Sequence, residues 1–329
     1  MREIRIHYVD FWKNFNPKTF EFTKILEKKY KVIFDDNSPE YVICSHFGKD
    51  ALKYDGIRIL FLGEAVAPDF NVYDYAIAFD NIDFGDRYLR YPLCLLNKEL
   101  MELALKKHTY SDEYYLSKKK FCNQLVSNAS GDDIRDRVFD GLSAYKKVDS
   151  GGRYRNNMPD GLPVADKLAF QKEYRYSLAF ENSSFPGYVT EKIIDAFAAG
   201  TIPIYWGDTL IEKELNPKAF INFNEMQNVD ELIARIKEIE GNQELYLSIM
   251  KEPILSDKSF FANMNEPDYL AGFLYSIVDR DYGKAYRRNS KFTMWGKVHE
   301  GKILKWYNIE SNRLFKKINK IRKKIKKIN

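Results

Sequence analysis

The densest chemistry in this chain lies between Tyr176 and Gly207, where Glu181, Asn182, Tyr188, Thr190, Glu191 and Lys192 share one loop and one helix start. Tyr176 to Phe180 is a short apolar run and Glu181 to Tyr188 a polar loop. Thr190 then opens a helix that passes through Ile193, Ile194 and Phe197 to a stop at Gly200, and Thr201 to Tyr205 is the next buried strand. A strand–loop–helix of this kind turns backbone N–H groups and the positive end of the helix dipole toward the carboxyl edge of a sheet. Diphosphates and other anions bind there. Lys192, in the first turn, opposes that dipole, so its placement points to a bound anion. Glu191 can accept hydrogen bonds from sugar hydroxyls, and Asn182 and Tyr188 can shape the same pocket. Packing across the helix start is the simpler account of Tyr188, and Thr190 needs no role beyond capping.

Two further residues carry suitable chemistry. Glu64 follows the apolar strand Ile57 to Leu62 and the turn residue Gly63. A carboxylate at the end of a parallel strand can act as a general base toward a hydroxyl; the plainer reading is a surface-loop Glu. Arg135 follows the strand Phe121 to Ser127 and the turn Ser130-Gly131-Asp132. Its guanidinium can grip diphosphate oxygens in a bidentate fork, or pair with Asp132 or Asp136. Arg137 competes for the same job. Metal chemistry has little support. Asp35-Asp36 and Asp132-Asp133 read as solvated turns, and His7, His46, His108 and His299 show no ligand spacing.

The elements that position these residues follow an α/β pattern. Ile4 to Val9 alternates like a strand, and Pro17 to Tyr30 reads as a helix with Phe22, Ile25, Leu26 and Tyr30 on its apolar face. Lys31 to Phe34, Tyr41 to Ser45, Ile57 to Leu62 and Tyr75 to Phe79 are short strands. A charged stretch, Ser111 to Lys120, connects to a second unit with helices near Ile134 to Tyr145, Val164 to Tyr174 and Asn228 to Ile239. The reading is two doubly wound domains facing across a cleft. A chain of 329 residues, 45% of them hydrophobic, suffices for two such cores. Cys44, Cys94 and Cys122 read as buried free thiols, which suits a reducing compartment.

Phe180-Glu181-Asn182-Ser183, Tyr188-Val189-Thr190-Glu191-Lys192, Ile202-Pro203-Ile204 and Gly207 resemble the donor-binding signature of the α-1,3/4-fucosyltransferases. Gly63-Glu64, Pro68, Phe70-Asn71, Asp74-Tyr75-Ala76-Ile77, Phe79-Asp80 and Arg87-Tyr88-Leu89-Arg90 look like the acceptor-domain block of the bacterial members. Ser127-Asn128-Ala129 with Arg135 is a third match. The resemblance implies the GT-B architecture of two Rossmann-like domains: 1–115 for the acceptor, 116–290 for GDP-fucose, and 291–329 as a basic helical tail. It implies inverting transfer from GDP-β-L-fucose to GlcNAc O3 of an N-acetyllactosamine-type glycan, with no cofactor and no essential divalent metal. Glu64 falls on the catalytic-base position. Arg135, Asn182, Tyr188, Glu191 and Lys192 fall on donor-binding positions, with Ser127, Asn128, Glu181 and Thr190 in the donor loops. Ala65-Val66-Ala67 departs from the bacterial pattern by lacking a second acidic residue, which puts acceptor contacts in doubt.

The charge is uneven. Residues 302–329 hold eleven Lys or Arg and one acid, Glu310, so the tail stands at +10 within a total of +5 and the rest of the chain at −5. Leu304, Tyr307, Ser311, Leu314, Ile318, Ile321, Ile325 and Ile328 keep a heptad register through it. The favoured reading is a basic amphipathic helix lying on an anionic membrane surface over 304–328. Self-association, non-specific nucleic-acid binding and a solvated tail are the rivals. No apolar run is long enough to span a bilayer, and Met1-Arg2-Glu3-Ile4-Arg5 does not read as a signal peptide. The expectation is a cytoplasmic protein held peripherally at the inner face of the cell membrane.

Overall fold

A computed structural model describes residues 1–264, 266–288 and 294–311. The first sheet comprises β1 (Glu3–Val9), β2 (Lys31–Phe34), β3 (Tyr41–Cys44), β4 (Ile57–Phe61), β5 (Tyr75–Ala78) and β6 (Tyr88–Arg90). The second comprises β7 (Lys120–Gln124), β8 (Val148–Ser150), β9 (Tyr174–Phe180), β10 (Ile202–Trp206) and β11 (Ile221–Asn222). The helices are α1 (Glu21–Glu27), α2 (Lys98–Leu105), α3 (Asp112–Leu116), α4 (Ile134–Tyr145), α5 (Lys167–Lys172), α6 (Glu191–Ala198), α7 (Val229–Gly241), α8 (Gln243–Lys251), α9 (Phe260–Met264), α10 (Pro267–Val278), α11 (Tyr282–Ala285) and α12 (Lys297–Ser311).

Both sheets are wholly parallel, in the orders β2-β1-β3-β4-β5-β6 and β11-β10-β9-β7-β8. β3, β4 and β5 are buried along their whole length, as parallel strands covered on both faces must be. Each order reverses once, between β1 and β3 and between β7 and β9. The crevice outside the carboxyl ends at such a reversal is where α/β sheets place ligands. One apolar cluster joins Ile43, Ile59, Phe61 and Ile77 of the first sheet to Val189, just before α6, and to Ile193, Ile194 and Phe197 along it. The two halves therefore meet through packed core beside the crevice.

The expected helix over 17–30 is divided. Pro17–Thr19 forms a single tight turn, Phe20 is extended (φ −73°, ψ 142°), and α1 starts afresh at Glu21. The apolar face still lands in the core, with Phe22, Ile25, Leu26 and Tyr30 buried. The helix expected over 164–174 starts later, because the Asp166 side chain accepts from Ala169 N and caps it there. The last part of the stretch expected to belong to the second domain, 116–290, returns to the first. Tyr275 of α10 donates to Ile25 O (2.8 Å), Tyr30 donates to Asp279 Oδ1 (2.7 Å), and Arg2 donates to Val278 O (3.0 Å).

α12 is held to the first sheet by charge and by Ile303 and Leu304, which pack against the apolar cluster of β3, β4 and β5. Arg58 of β4 is fully buried and donates to Glu300 Oε1 at 2.7 Å, to Tyr54 O at 2.8 Å and to Val72 O at 3.2 Å. Asp74, also fully buried, accepts from the backbone N–H groups of Arg58, Arg287 and Arg288 and pairs with the Arg288 side chain at 3.0 Å. The heptad positions beyond Ser311 lie outside the described residues. Among the described residues no helix is long and apolar enough to cross a membrane.

Candidate active site

β7 and β9 are neighbours, with Cys122 opposite Tyr176 and Gln124 opposite Leu178. The loops leaving their carboxyl ends must therefore meet. Arg135, in the first turn of α4, is only 3% exposed and spans them: it donates to Asn182 Oδ1 at 2.8 Å and to Asn128 O at 2.9 Å. Asp132 N donates to Asn182 O (2.9 Å) and closes the set. Arg135 forms neither local ion pair that the sequence allowed; Asp136 pairs instead with Arg155 at 3.2 Å. The competitor Arg137 is exposed and reaches Asp133 at 3.5 Å. A buried guanidinium with no carboxylate partner among the described residues keeps its charge available to an anion. A Cβ on Gly131 would come within 2.0 Å of the Arg135 guanidinium carbon, so a larger residue there would shift that side chain. The Asn128 side chain is spent on its own turn, accepting from Ser130 N at 2.9 Å, and Ser127 is exposed outside this set of bonds.

The start of α6 is organised by Glu181, which is fully buried. It accepts from Thr190 N (2.7 Å), Thr190 Oγ1 (2.6 Å) and Lys192 Nζ (3.0 Å). Burial pushes the Glu181 carboxyl above its usual range, and Lys192 opposes that rise. Burial also disfavours the Lys192 charge, but Glu181 and Glu191 outweigh it and hold the ammonium's pKa above its ordinary value. This revises two expectations. Thr190 occupies the N-cap position, yet its hydroxyl makes no capping bond to α6 and turns to Glu181. Lys192, whose placement at the helix start pointed to a bound anion, has an internal counter-charge in buried Glu181. The Glu191 side chain, 43% exposed, projects from the same turn into a cleft of about 510 Å³ that Phe20, Glu21, Leu93 and Asn97 also line.

Glu64 arrives from the other half. It follows β4 and is half-buried, and the Tyr188 hydroxyl donates to its Oε2 at 3.2 Å. Tyr188 is 2% exposed and packs edge-on against Phe79, which follows β5, with ring centres 5.2 Å apart. The close approach is set by Gly187, whose φ of +85° suits glycine and where a Cβ would lie 2.7 Å from Phe79 O. His46, at the end of β3, is half-buried with Nδ1 unpartnered. Burial holds its pKa below the usual histidine value, with Glu64 acting in the other direction.

Two elements of this site escaped the sequence reading. Asp208, fully buried after β10, accepts from Gly187 N (2.7 Å) and Leu210 N (2.8 Å) and so fixes the 181–188 loop. Arg90 of β6 pairs with buried Glu214 across the two halves at 2.5 Å. Arg90 stood in a recognisable block, but nothing local marked its partner. Cys44, Cys94 and Cys122 are free and buried. Among the described residues no three His, Cys, Asp or Glu side chains gather as a metal-holding group.

A family model described as the α-(1,3)-fucosyltransferase FucT N-terminal domain matches residues 6–97, and the glycosyltransferase family 10 (fucosyltransferase) C-terminal model matches residues 115–251. The chain is 32% identical over 321 residues to the α-(1,3)-fucosyltransferase FucT of Helicobacter pylori, covering 84% of this chain and 66% of that protein. It is 35% identical over 126 residues to human 4-galactosyl-N-acetylglucosaminide 3-α-L-fucosyltransferase FUT5, covering 37% of this chain and 33% of that one. It spans less than two thirds of the length of either relative. A solved structure of an α1,3-fucosyltransferase with GDP-fucose superposes with a TM-score of 0.72 at 29% identity, covering 88% of this chain and 94% of that one. With a GT-B-type pair of parallel sheets and both halves matched in order, this chain belongs to the family 10 glycosyltransferases, the fucosyltransferases.

Proposed function

We propose that this protein is an inverting fucosyltransferase that moves L-fucose from GDP-β-L-fucose to O3 of GlcNAc in an N-acetyllactosamine-type glycan, giving a Lewis-type product. The observation that carries the reading is the meeting of Glu64, from the first half, with the Tyr188 loop that also presents Lys192. In this reaction Glu64 takes the proton of the acceptor hydroxyl as its oxygen attacks the fucose anomeric carbon from the face opposite GDP. The bond from that carbon to the β-phosphate oxygen breaks, and the electron pair leaves with GDP. Arg135 and Lys192 receive the growing diphosphate charge, so a metal is not needed for that role. Asn182 holds Arg135, Glu191 accepts hydrogen bonds from the donor's hydroxyls, and Glu181 and Thr190 hold Lys192. The relatives' names and the neighbour's bound GDP-fucose support donor and reaction class. The α-1,4 or dual α-1,3/4 linkage, and a related GDP-sugar as donor, are the alternatives within the class. A glycan- or nucleotide-sugar-binding protein is the one outside it, and lipopolysaccharide O-antigen or protein glycosylation the setting to test.

The decisive experiment is GDP release from GDP-fucose with N-acetyllactosamine, run beside GDP-mannose and acceptor-free reactions, each with and without EDTA. The expected result is acceptor-dependent release from GDP-fucose alone, unchanged by the chelator. Release from GDP-mannose reassigns the donor, loss with EDTA overturns the metal-free mechanism, and no release from folded protein favours the binding reading.

For the basic tail we propose peripheral binding to an anionic membrane at the cytoplasmic face, with about 1 kcal/mol contributed per basic residue near the headgroups. Deleting residues 302–329 is expected to abolish sedimentation with anionic liposomes and leave activity in solution. Unchanged sedimentation overturns the tail assignment.

A further inference from the structure

The base needs a fixed direction as well as a charge, and among the described residues the Tyr188 hydroxyl stands against it. We propose that Tyr188 is a positioning residue for Glu64. Its hydroxyl holds Oε2 and leaves Oε1 to receive the acceptor proton, so that the loop of the donor half orients the base of the acceptor half. The inference rests on Glu64 as the base; it assigns Tyr188 a task beyond lining the donor pocket.

The ring has little freedom. The residue is 2% exposed and its ring lies edge-on to Phe79; its backbone N–H donates to Phe185 O at 3.0 Å, and its backbone carbonyl accepts from the Tyr205 hydroxyl at 3.5 Å. The direction of the hydrogen bond is also settled. Burial, then the neighbouring carboxylates Glu181 and Glu64, push the phenol's ionisation far above its ordinary value, so it stays protonated and donates. Glu64 belongs to a loop after β4 and Tyr188 to the loop before α6, 124 positions later, so the bond joins the two halves. The other charged or titratable groups that sense Glu64 are Lys192, on α6, and His46, after β3. Burial holds the His46 imidazole below its usual range, and Lys192 and the Tyr188 hydroxyl are the charged and hydrogen-bonding groups that face Glu64 from the second half.

A donated hydrogen bond favours the charged form of a carboxylate, so its loss moves the acid limb of the pH–rate profile to higher pH. Tyr188→Phe is therefore expected to lower kcat by about 10–100-fold, the usual range for one hydrogen bond to a charged group. The acid limb should rise while KM for GDP-fucose stays within about threefold of the parent value. Phe79→Leu, which removes the ring's edge-on support and keeps the hydroxyl, should move the limb the same way. A raised donor KM with an unmoved acid limb would make Tyr188 a donor contact only, and an unmoved limb in both variants overturns the proposal. Glu64→Ala run alongside separates the two readings. If that variant retains near-normal transfer, the base assignment itself is wrong; if it is inactive while the Tyr188→Phe limb is fixed, only the positioning role falls.

Discussion

Glu64→Ala is expected to bind GDP-fucose as the parent does and to lose transfer by roughly 10²–10⁴-fold, the span that general bases contribute. The separation of binding from chemistry follows from where the residue stands. Glu64 comes from the first half, whereas Arg135, Asn182, Tyr188, Glu191 and Lys192, the groups assigned to the donor, all follow β7 or β9 of the second, and of these Tyr188 bonds to Glu64. Removing the carboxylate leaves the Arg135–Asn182 and Lys192–Glu181 contacts intact. Glu64→Gln is the cleaner form, because its amide oxygen can still accept from Tyr188 while the side chain cannot take a proton at neutral pH. Isothermal titration with GDP-fucose and single-turnover transfer provide the two readouts. Near-normal transfer by either folded variant would remove Glu64 from the mechanism. Weakened donor binding would show instead that it touches the nucleotide sugar.

The second large effect concerns stability and lies far from the diphosphate groups. Glu300→Ala is expected to destabilise the protein by about 3–5 kcal/mol, as when one partner of a buried pair is removed. Arg58 and Arg288 are matched by Asp74 and Glu300 in one buried group. Taking away Glu300 leaves two guanidiniums against one carboxylate, where water cannot compensate them. It also releases the hold of α12 on β4. Urea unfolding of parent and variant measures the difference, and a loss under about 1 kcal/mol refutes the clamp. The paired change Arg58→Met with Glu300→Leu should recover much of the loss, because apolar replacement of both partners is often near neutral.

How far these features could be read beforehand depends on what each requires. β3, β4, β5 and α4 were legible within a residue or so, because runs buried on both faces and a clear helical period leave local marks. The break at Phe20 was not, since Pro17 to Tyr30 keeps its apolar period through the turn and only the backbone at Phe20 departs from it. Of the site, the positions of Glu64 after β4 and of Arg135 and Lys192 in the first turns of α4 and α6 were legible. Their partners were not. Lys192 seemed to call for an external anion because its internal one, Glu181, has no recognisable spacing as a helix-start ion pair. Arg135 was weighed against Asp132 and Asp136, its sequence neighbours, and bonded instead to Asn182.

By itself, then, the amino-acid order determined the parallel α/β class, the two units, and which side chains stand at strand ends, because burial and dipole preferences act over a few residues. The tertiary structure decided which strands are neighbours, that β7 lies beside β9, and that Tyr188 reaches Glu64. It also decided that α10 returns to α1 and that Glu300 closes on Arg58. Those contacts join residues far apart in the chain. Hydrophobic period reports that a face is buried but not against what, and a charge selects its partner by distance in space.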